Sequence, residues 1–555
     1  MNNKSILVCF EKGRSERFGE KFDEVLNVEA LKSLVSPGSV EEASEFVRNL
    51  SLITDSAGRR VSKSVNYKDF ELWWMNYDNL MYKFCLPYTQ YERLLEYLKN
   101  FQVVYLCEPP FPDLFRYYLE SHGVRCEIES KLQNRFSVGI LIQAALSLPF
   151  LFWLRLRSPK LMVWAGDRLD LPRDYNFRMR FIYEELRGRK IKFAEFIRSM
   201  ESSPTVLKHA MIRKRSVIYS YAIVTLVRSI ADLLVAKEKI DVKEGFWSKV
   251  AVHYIQNVRS DIWAIRAMKF ILKFIGIKAA IIPGAINRNF PEVLACKLLG
   301  IKTVGIQHGL HPKSYFVSDF MHEFDGEKTL SVDKYGLWSE WWRQYYLKYS
   351  KAYKPEQLYV SGLMRPLEEA VKPSLGGSAK FEGEPIKVLF VAEELAAPEE
   401  IMPYLEALIE DKSLSLYIKF RPYKDGFEEW LTRNRPELLK KFSQERILKT
   451  SMSEAIGNTD VAVGSQSAGV LESVLQLKPF VLFWTEKWGD FFSLKSNYPE
   501  YNVFVESPSE LVARLKNLHT ISPSILKKLQ EDLFGDPYRN GSKWVVDQAE
   551  AVLTK

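Results

Sequence analysis

Cysteine is scarce in this chain of 555 residues. There are five, Cys9, Cys85, Cys107, Cys126 and Cys296, odd in number and without a CxxC pair. That spacing excludes a disulfide framework and argues against a cysteine-built zinc site, and it favours a reducing compartment. A dominant charge is lacking too: 78 Lys and Arg stand against 69 Asp and Glu, a formal balance of +9. Spread over this length, the excess suits a small anionic partner such as a nucleotide, a lipid phosphate or an acidic glycan, and no nucleic-acid partner is expected. No DxD triplet, low-complexity tract or convincing internal repeat occurs. The first apolar run, Ser5 to Phe10, is too short for a secretory signal and reads as a first buried strand. With 47% hydrophobic and 26% charged residues, the composition is that of a folded chain long enough to bury large cores without staples.

One long apolar run does exist. Residues 136–154, FSVGILIQAALSLPFLFWL, carry no charge over 19 positions. Lys131, Arg135, Arg155, Arg157 and Lys160 flank them. The length matches a membrane span. Gln143, two serines and Pro149 argue against one, as does the α/β pattern on both sides. A helix lying in a bilayer interface, a helix buried under a sheet and a true span all remain open, with the interfacial one preferred.

Elsewhere, short apolar strands alternate with amphipathic helices. Strands are expected at 103–106, 124–128, 161–164, 191–197, 279–282 and 303–306, with helices at 112–121, 177–187 and 291–299. Two long helical stretches are expected at 205–235 and 247–275, and aromatic-rich helical packing at 72–91. The Gly- and Pro-containing stretch VKPSLGGSAKFEGEP, 371–385, lacks a periodic apolar face and marks a boundary. The rhythm then restarts, with strands at 387–391, 416–420, 462–463, 480–483 and 503–505 and helices at 398–410, 470–477 and 543–553. Repeated βα units imply an α/β fold of two Rossmann-like, doubly wound domains facing across a cleft, with extra helices in the N-terminal one.

In such sheets ligands sit at the carboxyl ends of strands, so the loops after strands carry the chemistry. Gly464-Ser465-Gln466-Ser467-Ala468-Gly469 joins a strand to a helix. Small residues and free helix N–H groups there suit a phosphate, although Ser467 as a plain helix cap fits equally well. Glu472, a turn later, suits ribose hydroxyls or solvent. Lys419 and Arg421 end another strand, where they suit phosphate oxygens or water. Glu393 and Glu394 end a third. In the N-terminal half, Gln307-His308-Gly309 follows a strand, which makes His308 a candidate acid/base or ligand group. His311 and His322 lie nearby without metal-ligand spacing. Asp167 is the best-placed general base, ahead of Asp170 and Asp174. Glu195, in an apolar strand, is a further candidate because burial raises a carboxylate's pKa.

The order QHG, then Gly336-Leu-Trp338-Ser339, then Val360-Ser-Gly362, then KFRP, then GSQSAGVLE and KPFVLF resembles GT-B glycosyltransferases. It is most similar to surface-polysaccharide enzymes of the capsule Kdo-transferase, sialyltransferase-like and CDP-glycerol glycerophosphotransferase kinds. The resemblance covers residues 278–485. Arg421-Pro422 stands where that group has His-Pro, and Gln466 separates the two serines.

The resemblance implies transfer of a sugar from a nucleotide-activated donor, CMP-linked Kdo or nonulosonate preferred, to a hydroxyl of a surface glycan or lipid-linked acceptor. No metal or other cofactor is needed on this reading. Residues 1–371 would form the acceptor domain, carrying the apolar helix and the helices at 205–275. Residues 372–385 would link it to a donor domain, 386–540, and 541–555 would form a helix placed to cross back. Asp167, His308 and Glu195 are the catalytic candidates. Gly309, Glu393, Lys419, Arg421, Ser465, Ser467, Gly469 and Glu472 are the donor-binding ones. A cytoplasmic enzyme held at the membrane surface through 136–157 is expected. A nucleotide-sugar epimerase or hydrolase, and a non-catalytic nucleotide-sugar-binding protein, are the alternatives.

Overall fold

The computed structural model describes residues 4–9, 21–27, 39–107, 111–129, 138–166, 179–199, 203–212, 217–234, 242, 245–286, 288–314, 317–367, 384–393, 396–421, 426–442, 444–465, 467–485 and 488–554. Most of the expected linker at 372–385 lies outside them.

Among the described residues, three parallel sheets organise the chain. The first contains β1 (Ser5–Cys9), β2 (Glu24–Asn27), β5 (Val103–Cys107) and β6 (Cys126–Glu129), in the order β2-β1-β5-β6. β3 (Asn66–Tyr67) and β4 (Phe70–Glu71) form a separate antiparallel hairpin. The second sheet contains β7 (Leu161–Ala165), β8 (Phe193–Ile197), β9 (Val217–Ile218), β10 (Ala279–Ile281), β11 (Lys302–Ile306), β12 (Lys334–Leu337) and β13 (Leu358–Val360). Its order, β13-β12-β11-β10-β7-β8-β9, is the dinucleotide-fold order extended by one strand. The third contains β14 (Ile386–Val391), β15 (Leu414–Lys419), β16 (Val461–Gly464), β17 (Phe480–Phe483) and β18 (Phe504–Val505), in the flavodoxin-like order β15-β14-β16-β17-β18.

The fold is therefore α/β, with two Rossmann-like sheets carrying the second and third sets of strands. One expectation needs correcting. Residues 1–371 were assigned from sequence to a single Rossmann-like unit, yet hydrogen bonding divides their strands between two separate sheets. A βα rhythm reports that a strand pairs in parallel, and says nothing about which sheet receives it.

The central strands of the sheets are largely buried on both faces, which is why they read as continuous apolar runs. Alternate side chains enter different clusters. Leu389 and Val391 join a core shared by all three sheets, while Val388 and Phe390 pack under the helices of the third alone. Met162 and Trp164 likewise separate from Leu161 and Val163.

Helix boundaries differ from expectation at several places. The stretch 205–235 is two helices, Ser203–Ile212 and Ser220–Leu234, around the two-residue β9, too short to show a period of two. The stretch 247–275 breaks at Arg259 and Ser260 into Phe246–Val258 and Asp261–Ile275. The aromatic stretch from Leu72 to Leu98 changes pitch along its length, with a π turn at Met81–Cys85 just before Pro87. Proline lacks the N–H of a regular turn and crowds the preceding one, which favours the wider turn there.

The C-terminal helix Gly541–Leu553 follows the third sheet in sequence but packs on β10, β11 and β12 of the second. Its approach needs glycine. Gly362 has φ +91°, and a Cβ there would overlap the Arg539 carbonyl. A Cβ on Gly541 would overlap the Gly362 carbonyl. Backbone bonds close the crossing: Leu363 N–H donates to Arg539 O at 3.0 Å, and Gly541 N–H to Leu363 O at 2.8 Å. Replacing Gly362 by Ala should cost about 2 kcal/mol by forcing an unfavourable φ and a steric overlap. It should lower the thermal midpoint by several degrees, whereas Gly188→Ala, facing open space at a helix end, should not.

Candidate functional site

The strand order reverses between β14 and β16 in the third sheet, and between β7 and β10 in the second. At such a reversal the loops diverge from the carboxyl edge and leave a crevice.

In the third sheet the two diverging loops are tied together. Glu393 follows β14 and Ser465 follows β16, and Ser465 Oγ donates to Glu393 Oε1 at 2.5 Å. The same carboxylate oxygen accepts the Ala396 N–H at 2.8 Å. Both side chains are buried. Two residues singled out from sequence therefore meet, but as the frame of the crevice, since each is engaged by the other. Glu394 and Gln466 lie outside the described residues.

The serine loop continues as a cap. Ser467 Oγ accepts the Gly469 N–H at 3.2 Å, which satisfies the capping alternative. The expected helix at 470–477 is one α turn, Ala468–Leu471, followed by a 3₁₀ segment, Glu472–Gln476. Its aligned peptide dipoles are few, so charge at this edge must come mainly from side chains. Gly469 lies close to Met452, whose Cε would be 2.9 Å from a Cβ placed there.

Those side chains come from β15. Lys419 is almost buried, and its Nζ donates to Thr450 O at 2.5 Å. Burial lowers its pKa, an effect opposed by the nearby Glu454 and Glu472 carboxylates. Arg421, two residues further along and half-buried, stands nearer the rim. Glu472, expected at a ribose, forms an ion pair with Arg365 at 3.2 Å. Arg365 belongs to the segment leaving β13, so this pair links the second sheet's exit to the third sheet's crevice.

In the second sheet β7 ends at Ala165 and Gly166, and Asp167, Asp170 and Asp174 lie outside the described residues. The loop after β10 is pinned by Asn289, which accepts the Ile286 N–H at 2.9 Å and donates to Gly284 O at 2.8 Å. The loop after β11 is pinned by Gln307. Its Nε2 donates to Gly309 O at 3.0 Å, its Oε1 accepts the Trp338 N–H at 3.2 Å, and its backbone oxygen accepts Trp338 Nε1 at 2.7 Å. The QHG and GLWS motifs are thus two halves of one lock. His308 and Gly309 emerge from it half-buried.

Beneath His308 lies a buried polar group that sequence reasoning missed. The His308 and His311 rings are 5.1 Å apart. His311 Nδ1 lies 3.0 Å from Asp319 Oδ2 and 2.8 Å from the Tyr346 hydroxyl. His311 and Asp319 are both buried. Asp78 joins from outside this sheet, accepting the Ser318 N–H at 3.1 Å. Burial pushes Asp78 up to about 6, with hydrogen bonds from Ser318 opposing and Asp319 reinforcing the shift. Asp319 and Asp78 sit in no recognisable motif, and their partners are remote in sequence, so only the fold could reveal them.

Glu195 is corrected. It is fully buried within β8, two residues before the strand's end, and accepts from the Tyr183 hydroxyl at 2.5 Å. That places it inside the helix–sheet layer, on the strand itself and not on a loop at its carboxyl end. Among the described residues no three His, Cys, Asp or Glu side chains gather as a metal site. A cavity of about 220 Å³ lined by Lys297, Lys302, Lys328 and Asp333 lies at the opposite, amino edge of β11 and β12.

No family model and no curated protein matches the chain. Solved structures that align with it include the UDP-GlcNAc 2-epimerase of Neisseria meningitidis bound to UDP-GlcNAc, at 11% identity and a TM-score of 0.39, over 71% of this chain and 100% of that one. The calicheamicin glycosyltransferase CalG4 aligns at 12% identity and a TM-score of 0.41, over 71% and 98%. MurG of Acinetobacter baumannii aligns at 11% and 0.36, over 71% and 99%. At these identities the likeness is one of backbone arrangement, and no activity passes across it.

The Asp78 shift fixes a pH dependence. A carboxyl whose folded pKa is raised holds its proton more tightly when folded, so its contribution is complete below pH 4 and lost as pH rises through about 6. Asp78→Asn should remove that loss. Relative to the parent, the variant should gain stability between pH 4 and pH 7, measured as a diverging pair of denaturant midpoints.

Proposed function

We propose that this protein is a glycosyltransferase that uses a nucleotide-activated sugar and requires no metal. The observation that supports the reading best is the framed crevice of the third sheet, where Glu393 and Ser465 fix the loops and Arg421 and Lys419 supply positive charge. A nucleoside phosphate fits such an edge, with Arg421 on phosphate oxygens, Lys419 balancing charge from behind, and Ser467 and Gly469 near the same rim.

The reaction follows from the opposite edge. A base removes the proton of the acceptor hydroxyl, and the oxygen attacks the anomeric carbon. The bond from that carbon to the nucleotide phosphate oxygen breaks, and the phosphate leaves with the electron pair. Among the described residues His308 suits the base, with the His311–Asp319 pair behind it to steady its setting. Asp167, the carboxylate preferred from sequence, is the other base to test. The preferred donor is a CMP-linked Kdo or nonulosonate, and the acceptor a surface or lipid-linked glycan reached from the cytoplasmic face of a membrane.

Thermal unfolding against CMP, CDP, UMP, UDP and GDP tests the donor site. Ligand at about 100 times its dissociation constant adds roughly 2.7 kcal/mol. A cytidine-selective shift supports the preferred donor, another nucleotide replaces it, and no shift with any of them overturns the reading. With a responsive donor in hand, His308→Gln should lower turnover by about 10²- to 10⁴-fold, the range of lost acid–base catalysis. Glu195→Gln should leave turnover near that of the parent. Donor consumption without any acceptor would indicate an epimerase or hydrolase instead.

A further inference from the structure

The helix Val138–Arg157 is built inside out. Its buried side chains include Gln143 and Ser147, whereas Val138, Leu141, Leu148, Phe152 and Leu156 point outward. At 100° per residue these five fall within a sector of about 80°, opposite the buried face. Exposure reaches 58% at Leu148, 63% at Phe152 and 78% at Leu156. The inward polar groups are used: Ser147 Oγ accepts the Tyr219 N–H at 2.9 Å, and Gln143 Nε2 donates to Ser199 O at 3.5 Å. A helix on a water-facing surface has the reverse polarity.

The stripe is not isolated. The helices Ser203–Ile212, Ser220–Leu234 and Asp261–Ile275 pack against this one. Each adds exposed apolar side chains: Met211, then Leu233 and Leu234, then Trp263 and Phe270. Phe152, Phe274 and Phe270 connect two of the stripes, with successive ring centroids 5.9 Å apart. Cations edge the patch. Arg157 lies 4.9 Å from the Trp153 ring centre, Arg155 5.8 Å from that of Phe274, and Arg266 4.9 Å from that of Trp263. The four helices contain only two carboxylates, and one of them, Asp261, is buried in an ion pair with Arg228.

We infer that this four-helix face docks onto a lipid bilayer bearing anionic headgroups, with the helix Val138–Arg157 lying in the interface. The helix is long and apolar enough to cross a membrane. However, β6 before it and β7 after it contribute to one contiguous core, which keeps both its ends on the same side. An apolar band with aromatic residues and cations that reach past it to phosphate is the pattern of interfacial binding. The charge imbalance favours a bilayer over a second copy, because the cations of two facing copies would meet. The inference concerns attachment and stands apart from the glycosyl-transfer reading.

Cosedimentation of the full chain with phosphatidylcholine vesicles, and with vesicles containing about one quarter phosphatidylglycerol, tests it. Binding should favour the anionic vesicles and weaken with salt. Leu148→Glu combined with Phe152→Glu should reduce bound protein at least about tenfold while lowering the thermal midpoint only slightly, since both side chains are mostly exposed and Phe152 loses one ring contact, with Phe274. Arg155→Gln combined with Arg157→Gln should remove much of the anionic preference. Absence of vesicle binding by the parent, equal binding by the Glu variant, or a dimer in sedimentation velocity that the Glu variant abolishes would each overturn the inference.

Discussion

The close crossing of backbone at Gly362 and Gly541 governs how the rest of this molecule is assembled. The chain runs through the third sheet and then returns to lay its last helix on β10, β11 and β12. Without that approach one face of the second sheet, including Ile281, Val304 and Ile306, would lose the cover that Val545, Val546 and Ala549 provide. The same crossing explains two of the conspicuous sequence motifs. Gly336 must be small because Ser361 and Trp544 stand where its side chain would be. Gly535, at φ +68°, brings the chain within reach of the Trp338 carbonyl. The GLWS and VSG motifs therefore serve the assembly of the two sheets, and a ligand need not be invoked for them.

The two reversal points differ in how their charge is arranged. In the third sheet the frame is a short bond between a carboxylate and a hydroxyl, with cations brought in from the adjacent strand. In the second sheet the loops are fixed by amide side chains, Gln307 and Asn289, and the titratable groups lie in a second layer around His311. Of the two cations described at the third sheet's edge, Lys419 is almost buried and Arg421 half-buried toward the rim. The second sheet's edge is backed by histidine and carboxylate in place of cations.

Much of this was legible in the sequence, for reasons that can be stated residue by residue. Parallel strands buried on both faces give apolar runs such as Val388 to Val391, and strand-end loops follow them at once, so Glu393, Lys419 and Ser465 could be located as neighbours. Their roles were harder to read. Whether a serine faces a ligand or a carboxylate depends on a partner 72 residues away, and periodicity carries no such information. Glu195 misled because an apolar setting raises a carboxyl's pKa equally in a catalytic site and inside a packed layer. Asp319 and Asp78 were invisible because their significance lies in a tertiary cluster. The division of the first 371 residues between two sheets escaped for the same reason: pairing between strands is a long-range choice.

The order in which the chain is made gives the last helix a further meaning. A ribosome delivers residues 541–553 only after every strand of both larger sheets has been made. Until then the face of β10, β11 and β12 that this helix covers is open, and its apolar side chains are exposed to whatever else is nearby. The second sheet can form its strands early, but this face stays uncovered until residues 541–553 have been made. Covering of the second sheet is thereby coupled to the presence of residues that follow the third, so a product that stopped before residue 541 would carry an unprotected apolar face.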